Sequence, residues 1–240
     1  MTPFKPTKCA ILQSSYLPWK GYFDLINSVD YFVFYDIVQF TKNDWRNRNK
    51  IKTAQGLQWL TIPVIMKGRL DLNIDQMVCA NNEWQEKHWR SISQNYSRCK
   101  YFAEYKNVFE KFYQDNQSLQ LTDINRLLIE KICQALAINT PLLNASDLKI
   151  EGDRNWRLIS ICKQVGADHY LSGPAAKSYL DEKLFKDNGI TVEWMNFENY
   201  PEHQQRFPPF EHKVSVIDLI FNEGPHATEF LLSKSHSNLT

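Results

Sequence analysis

The feature that most constrains the fold is a pair of short apolar runs with a helix-like segment between them. Cys9 to Gln13 is strand-like, and Tyr31 to Tyr35 is continuously aromatic and β-branched, as in strands that are buried on both faces. Pro18 indicates a loop after the first run, and apolar residues recur at helical spacing from Gly21 to Ser28. Strand, loop, helix and strand in this order predict a βαβ unit and a sheet with parallel strands.

A basic β-hairpin is predicted after this unit. Trp45 to Lys52 alternates between a face with Trp, Asn, Asn and Ile and a face with four basic residues. Thr53 to Gly56 is a turn candidate, and Leu57 to Val64 returns as the second strand. The basic face is either a solvated strand edge protected by charge or a wall that binds the phosphates of a ligand. The flanking tryptophan and asparagine side chains favour the ligand wall.

The rest of the chain divides into a helical middle and a second α/β region. Helices are predicted over Glu83 to Tyr96, Tyr101 to Gln114 and Leu121 to Ile138, with Asn82 and Thr122 as candidate N-caps. The predicted C-terminal order is helix Asn155 to Val165, strand His169 to Leu171, helix Ala175 to Asn188 and strand Thr191 to Phe197. The predicted class is therefore α/β, with a Rossmann-like mixed or parallel sheet, a β-hairpin insertion and a helical middle segment. We expect one domain over residues 1–240, in which residues 82–140 would form a helical cap.

Composition narrows the classes of function. The chain has 240 residues, 43% of them hydrophobic, and a net charge of +1, which is typical of a soluble globular protein and gives no electrostatic reason to bind nucleic acid. We expect no membrane insertion and no secretory signal, because no apolar stretch is long enough for either. The five cysteines are widely spaced without a CxxC pair, so we expect reduced thiols, a cytoplasmic location and no metal site. The oligomeric state stays open.

Candidate site residues follow the predicted strands. Ligands of α/β sheets bind outside the carboxyl ends of the strands, and Asp36 directly follows the second strand, although Asp is also common in turns. Ser172-Gly173-Pro174 lies between a predicted strand and a predicted helix. Free backbone amides at the start of a helix attract anions, so this turn could bind one. Gly and Pro are also common in such turns for geometric reasons alone. His88 would suit acid–base chemistry if it faced the site, but a lone helical histidine is more often structural. No dinucleotide fingerprint, phosphate loop or nucleophile elbow is present in the sequence.

Several long motifs resemble the WbqC-like protein family. They are YLPWKGYFDLI, FVFYDIVQFTKNDWRNRNKIK and GLQWLTIPV in the first part of the chain, and NWRLISIC, VGADHYLSGPAAKSYLDEKLFKDNGI and SVIDLIFNEG in the second. The resemblance covers nearly the whole chain. It implies a role in bacterial O-antigen or other polysaccharide biosynthesis, as part of lipopolysaccharide assembly, by attachment of an acyl or aminoacyl group such as glycine to an amino or uronic sugar.

The chain departs from the pattern of its relatives at two places. Many relatives carry His-Gln-Pro-Asn where this chain has Leu12-Gln13-Ser14-Ser15, so no proton transfer can depend on a histidine there. Many also carry a second aspartate where this chain has Ile37, which leaves Asp36 as the carboxylate at that strand end.

We therefore expect an N-acyltransferase that acts on a nucleotide-linked amino sugar, with an acyl thioester such as acyl-CoA as co-substrate and no tightly bound cofactor. Asp36 would orient the amine or accept its proton, His88 is a second candidate for that role, and Asn47 or backbone amides would stabilise the oxyanion. The expected substrate-binding residues are Gln13, Tyr16, Trp19, Tyr22, Gln39, Lys42, Trp45, Arg46, Arg48, Asn49, Trp59, Ser172, Gly173, Tyr179 and Asp181. Two alternatives stay open, an ATP-dependent adenylate-forming ligase or nucleotidyltransferase and a non-catalytic sugar-nucleotide-binding protein.

Overall fold

A computed structural model describes residues 6–66 and 71–233, so both ends of the expected domain lie outside the described residues. The strands are β1 Lys8–Leu12, β2 Tyr31–Phe34, β3 Arg48–Thr53, β4 Gly56–Thr61, β5 Leu142–Asn144, β6 His169–Ser172 and β7 Thr191–Trp194. Five of them form a parallel sheet in the order β5-β2-β1-β6-β7, and β3 and β4 form a separate antiparallel hairpin. The predicted α/β class, with a Rossmann-like sheet and an inserted hairpin, is confirmed.

The α-helices connect these strands largely where periodicity predicts them. They are α1 Lys20–Asn27, α2 Glu83–Tyr96, α3 Phe102–Asp115, α4 Leu121–Ala135, α5 Arg154–Gln164, α6 Glu182–Asp187 and α7 Ile217–Glu223. The predicted helix from Ala175 to Asn188 is wrong, because it divides into a 3-10 helix, Pro174–Ser178, and α6. The Asp181 carboxylate accepts a hydrogen bond from the Leu184 amide at 3.0 Å and so begins a new helix at that point.

The sheet is covered on both faces, as the continuously apolar second run predicts. Phe32 and Phe34 of β2 belong to a core formed mainly with α1 and the middle helices, whereas Val33 belongs to the opposite core with α5 and α6. Alternate side chains of one strand thus enter two different cores, which is the pattern of a strand buried on both faces.

The order of strands reverses beside β1. From β1 the chain proceeds outward to β2 and β5, then crosses back to place β6 on the free side of β1, with β7 beyond it. Cys9 of β1 is in register with Tyr31 on one side and with Tyr170 on the other. In open α/β sheets a crevice for ligands forms outside the carboxyl ends of the strands at such a reversal.

The hairpin begins later than the alternation predicts. Its ladder runs from Arg48 opposite Thr61 to Thr53 opposite Gly56, so the prediction of a strand from Trp45 is wrong for residues 45–47. The Asp44 carboxylate accepts from the Trp45 amide at 2.7 Å, and the Trp45 carbonyl accepts from the Tyr16 amide at 3.0 Å. The second bond ties Trp45 to the loop after β1, whereas Asn47 already bonds Ile62 beyond the end of β4.

Candidate functional site

A cavity of about 840 Å³ lies at the carboxyl ends of β1 and β6, where the strand order reverses. We call it the switch-point cavity. Six of the predicted ligand residues line it: Gln13, Gln39, Arg46, Ser172, Gly173 and Tyr179. The structure thus brings together residues from the loop after β1, the segment after β2 and the turn after β6.

The cationic wall of this cavity includes two arginines that the sequence reasoning missed. Arg154 and Arg157 come from the first turn of α5, which begins there because the Asp153 carboxylate accepts from the amides of residues 155 and 156. Residues three apart on a helix lie on one face, so both guanidinium groups reach the cavity. The Arg154 guanidinium lies 3.2 Å from the ring centre of Tyr179. An Asp-Arg-x-x-Arg pattern at a helix start is the sequence signal that would have found them.

Neutral polar and aromatic groups complete the switch-point cavity. Tyr35 follows β2 and lines the cavity; burial raises its pKa, and the positive charge of Arg157 opposes that rise. Tyr170 also lines it, with its pKa raised by burial. Both phenols are therefore neutral near pH 7 and able to donate a hydrogen bond to a ligand.

Arg46 separates the switch-point cavity from a second, smaller one. This second cavity, which we call the apolar cavity, has a volume of about 250 Å³ and shares Leu12 and Arg46 with the first. The Arg46 Nη1 atom is 3.4 Å from the Gln13 side-chain oxygen and 3.3 Å from the Ser14 carbonyl. Only 11% of the Arg46 side chain is exposed, so water screens its positive charge only weakly in both cavities. The residues of the apolar cavity are Leu12, Ser15, Pro18, Trp19, Tyr22, Trp45, Arg46, Asn49 and Lys213.

Asp36 lies behind the cavities and lines neither of them. It is fully buried, and one carboxylate oxygen accepts from the Ser14 amide at 2.7 Å. The other accepts from the Thr122 hydroxyl at 2.5 Å and lies 3.5 Å from the Arg126 guanidinium. Thr122 is therefore a partner of Asp36 and not the N-cap of α4, a position that belongs to Gln120. Asp36 ties the end of β2 to the loop after β1 and to α4.

His88 and Tyr16 belong to a buried polar cluster outside both cavities. The His88 Nδ1 atom is 2.8 Å from the Tyr16 hydroxyl, which is itself 2.6 Å from the Tyr113 hydroxyl. Burial lowers the pKa of His88 to about 4, and a hydrogen bond with the Thr61 backbone opposes that shift. A neutral histidine held in this way joins α2 to the loop after β1.

Asn47, Asn49 and the basic residues that follow Arg46 in the hairpin also lie apart from the switch-point cavity. The side-chain amide of Asn47 donates to the Ile62 carbonyl at 2.8 Å. Lys42, Asn47 and Arg48 line a separate depression of about 200 Å³. The Arg48 guanidinium stacks on Trp59 at 4.4 Å from the ring centre. Lys52, which the alternation assigns to the basic face, is buried and donates to the Pro209 carbonyl. The basic residues of the hairpin therefore do not form one continuous phosphate wall.

The described residues contain neither a cluster of metal ligands nor a membrane-spanning helix. Within residues 6–66 and 71–233, no three His, Cys, Asp or Glu side chains gather as metal ligands would. None of the helices in the same part of the chain has the length and apolar character needed to cross a bilayer.

Fold and cavity together define a Rossmann-like α/β protein with an arginine-lined cavity at its switch point. The chain belongs to the WbqC-like protein family, which it matches over residues 13–230. It is similar to the uncharacterized protein Rv1507c of Mycobacterium tuberculosis, with 44% identity over 224 residues, or 93% of this chain and 97% of the relative. No solved structure matches it.

Proposed function

We propose that this protein is a cytoplasmic transferase that holds a nucleotide-linked amino sugar in the switch-point cavity and joins an acyl or aminoacyl group to its amine. The reaction would belong to bacterial O-antigen or other polysaccharide biosynthesis, in keeping with the family resemblance. The observation that carries the proposal is the convergence of Arg46, Arg154 and Arg157 on one cavity at the carboxyl edge of the sheet.

The chemistry of the lining suits a sugar diphosphate. Three arginines and one aspartate are the charged residues of the described lining, so the cavity attracts anions. A guanidinium group matches the geometry of phosphate oxygens and binds them in a bidentate manner. Gln13, Gln39 and Ser172 offer neutral donors and acceptors, which suit sugar hydroxyls. The volume of about 840 Å³ lies within the usual range for small-molecule sites of about 300–1,000 Å³.

The transfer itself needs no nucleophile from the protein. The neutral amine of the sugar attacks the carbonyl carbon of the thioester, and a C–N bond forms. The C–S bond then breaks, the thiolate leaves with the bonding electron pair, and it ends as a thiol with the proton that the amine nitrogen loses. Arg46 would stabilise the negative charge that develops on the carbonyl oxygen, because it lies on the wall that the two cavities share.

Asp36 has a different role in this proposal from the one its sequence position indicates. Both of its oxygens are occupied by protein donors, so it would act as a positioning residue and not as the proton acceptor. It fixes the Ser14 amide, and the Ser14 carbonyl in turn accepts from Arg46. The proton would pass to the leaving thiolate or to water.

Calorimetric binding of UDP-, dTDP-, GDP- and CMP-linked amino sugars tests the proposal. We expect at least one to bind, and the variant with Arg154→Ala and Arg157→Ala to bind it at least tenfold more weakly, since each hydrogen bond to a charged group contributes about 1.5–3 kcal/mol. Lys163→Ala is the matched control, because Lys163 is an exposed cation of the same helix that bonds Asn188 and lines neither cavity. Unchanged affinity in the double variant, or no binding across the panel, would refute the proposal.

Turnover of the bound sugar separates the proposal from its alternatives. Thiol release with acyl-CoA and no ATP is the expected result. Dependence on ATP and magnesium with release of pyrophosphate would instead identify a ligase or nucleotidyltransferase, and tight binding without any turnover would identify a sugar-nucleotide-binding protein.

A further inference from the structure

The apolar cavity has walls built from aromatic side chains and few free polar groups. Trp19, Tyr22 and Trp45 line it, together with Leu12 and Pro18. Gly21 makes room for one wall, because a Cβ atom at that position would lie 2.3 Å from the Trp19 ring. Only glycine fits at this position of the first turn of α1, because the Trp19 indole packs directly against its Cα.

The polar groups of this cavity are mostly committed to the protein itself. The Asn49 amide nitrogen donates to the Leu17 carbonyl at 2.6 Å, and its oxygen accepts from the Lys50 amide at 2.8 Å. The Tyr22 hydroxyl donates to the Gln13 carbonyl at 3.1 Å. A nucleobase or a sugar buried there would leave its own polar groups unpaired, which is costly. An apolar occupant meets no such cost.

The positive charge of the cavity lining restricts the charge that a ligand can carry. Its charged residues in the described lining are Arg46 and Lys213, both cationic. The buried Arg46 Nε atom has no hydrogen-bond partner and lies 3.6 Å from the nearest Asp44 oxygen. A guanidinium N–H without a hydrogen-bond acceptor in the wall of an apolar cavity favours a carbonyl oxygen of the occupant, and its charge repels an ammonium group.

We infer that the apolar cavity is the subsite for an uncharged acyl chain, with its thioester carbonyl at Arg46. The inference builds on the proposed function and narrows it, because it selects acyl over aminoacyl donors. The cavity also sets a length limit. An apolar cavity of about 150 Å³ admits benzene, so by proportion 250 Å³ admits about ten non-hydrogen atoms.

Thioesters of N-acetylcysteamine test the subsite directly, because they carry the acyl group without any phosphate. In calorimetric titrations with acetyl, butanoyl, hexanoyl and dodecanoyl thioesters, we expect affinity to rise about fourfold per methylene up to hexanoyl and to fall for dodecanoyl. Trp45→Ala should remove the dependence on chain length. Trp156→Ala is the matched control, since Trp156 is 43% exposed against 41% for Trp45 and lines neither cavity.

An isosteric pair tests the effect of charge. The 3,3-dimethylbutanoyl thioester should bind at least tenfold more tightly than the trimethylammonioacetyl thioester, which has the same shape and a fixed positive charge. Equal or tighter binding of the cation would overturn the inference that the subsite takes an uncharged acyl group.

The two proposals fail in different ways. A protein that binds a nucleotide-linked sugar but shows no chain-length dependence with the thioesters would refute the acyl subsite and leave the switch-point cavity as the sugar site. A protein that shows the expected chain-length profile but binds none of the nucleotide-linked sugars would support the acyl subsite and refute the proposed sugar substrate.

Discussion

Replacement of Asp36 by asparagine should destabilise the fold and not merely stop a reaction. The carboxylate is fully buried and accepts from the Ser14 amide and the Thr122 hydroxyl, with Arg126 at 3.5 Å. Asparagine can keep its oxygen toward Ser14, but its NH₂ group then faces Thr122 and Arg126. The variant therefore loses one charge-assisted hydrogen bond and the attraction to a guanidinium that is mostly buried.

The expected loss follows from these contacts. A hydrogen bond to a charged group contributes about 1.5–3 kcal/mol, and leaving a buried cation without its partner adds to the cost, so we expect a loss of about 3 kcal/mol in the free energy of unfolding. For a domain of this size, 1 kcal/mol corresponds to about 2–4 °C in Tm, so Tm should fall by roughly 6–12 °C.

Thermal and urea unfolding, followed by circular dichroism, measure this loss. Asp75→Asn is the matched control, because burial and the charge of Asp36 raise the pKa of Asp75 in the folded protein. Neutral asparagine relieves this unfavourable charge, so Tm should stay the same or rise. An Asp36→Asn variant with wild-type Tm and no activity would refute our reasoning, since it would show that the carboxylate acts in the reaction and not in the fold.

Three further predictions concern other parts of the molecule. The pKa of His88 is about 4 in the fold against 6.5 when unperturbed, so the unfolded chain binds more protons between these pH values. The free energy of unfolding in urea should therefore be highest above about pH 6.5 and fall by about 3 kcal/mol as the pH drops to 4. His88→Gln should flatten this pH dependence, whereas His226→Gln, at an exposed histidine, should not. Gly21→Ala should push the Trp19 ring from its place and shift the tryptophan emission spectrum, whereas Gly166→Ala, where a Cβ would meet no atom within 4 Å but φ is +72°, should cost stability without this spectral change. The five cysteines are buried, and burial raises the pKa of Cys79 and Cys133 to about 12. The native protein should therefore react with an aromatic disulfide reagent at least tenfold more slowly than the unfolded chain. Rapid reaction of the native thiols would contradict this burial.

Local patterns were sufficient to predict most of the architecture. The helices of the middle segment and the unit formed by β1, α1 and β2 each carry their own periodicity, so neighbouring residues determine them. The prediction of a strand over residues 45–47 was wrong because three residues can alternate in polarity in a turn as well as in a strand. There the conformation is set by the bond that the Trp45 amide donates to Asp44 and by the bond that the Tyr16 amide donates to the Trp45 carbonyl. The second bond comes from a distant part of the chain.

The position of the candidate site could be predicted from the sequence, but the full set of residues that line it could not. Gln13 and Gln39 follow strands and Ser172 ends β6, and the rule that ligands bind at carboxyl strand ends predicts their place beside the cavity. Arg154 and Arg157 follow no strand directly, and only the crossing of the chain to the free side of β1 brings them close to Gln13. Asp36 is near the site, as expected, but which way a carboxylate turns depends on donors such as Thr122 that no local pattern reveals.

The central place of β1 also has a consequence for how the chain folds during its synthesis. One edge of β1 pairs with β2 within about twenty residues, but the other edge pairs with β6, where Cys9 meets Tyr170. At translation rates of about 5–20 residues per second, the ribosome needs roughly 8 to 32 s to supply that partner. An apolar strand with an open edge is prone to pair with other chains. The open edge of β1 is therefore exposed to pairing with other chains for longer than its edge toward β2, until β6 emerges.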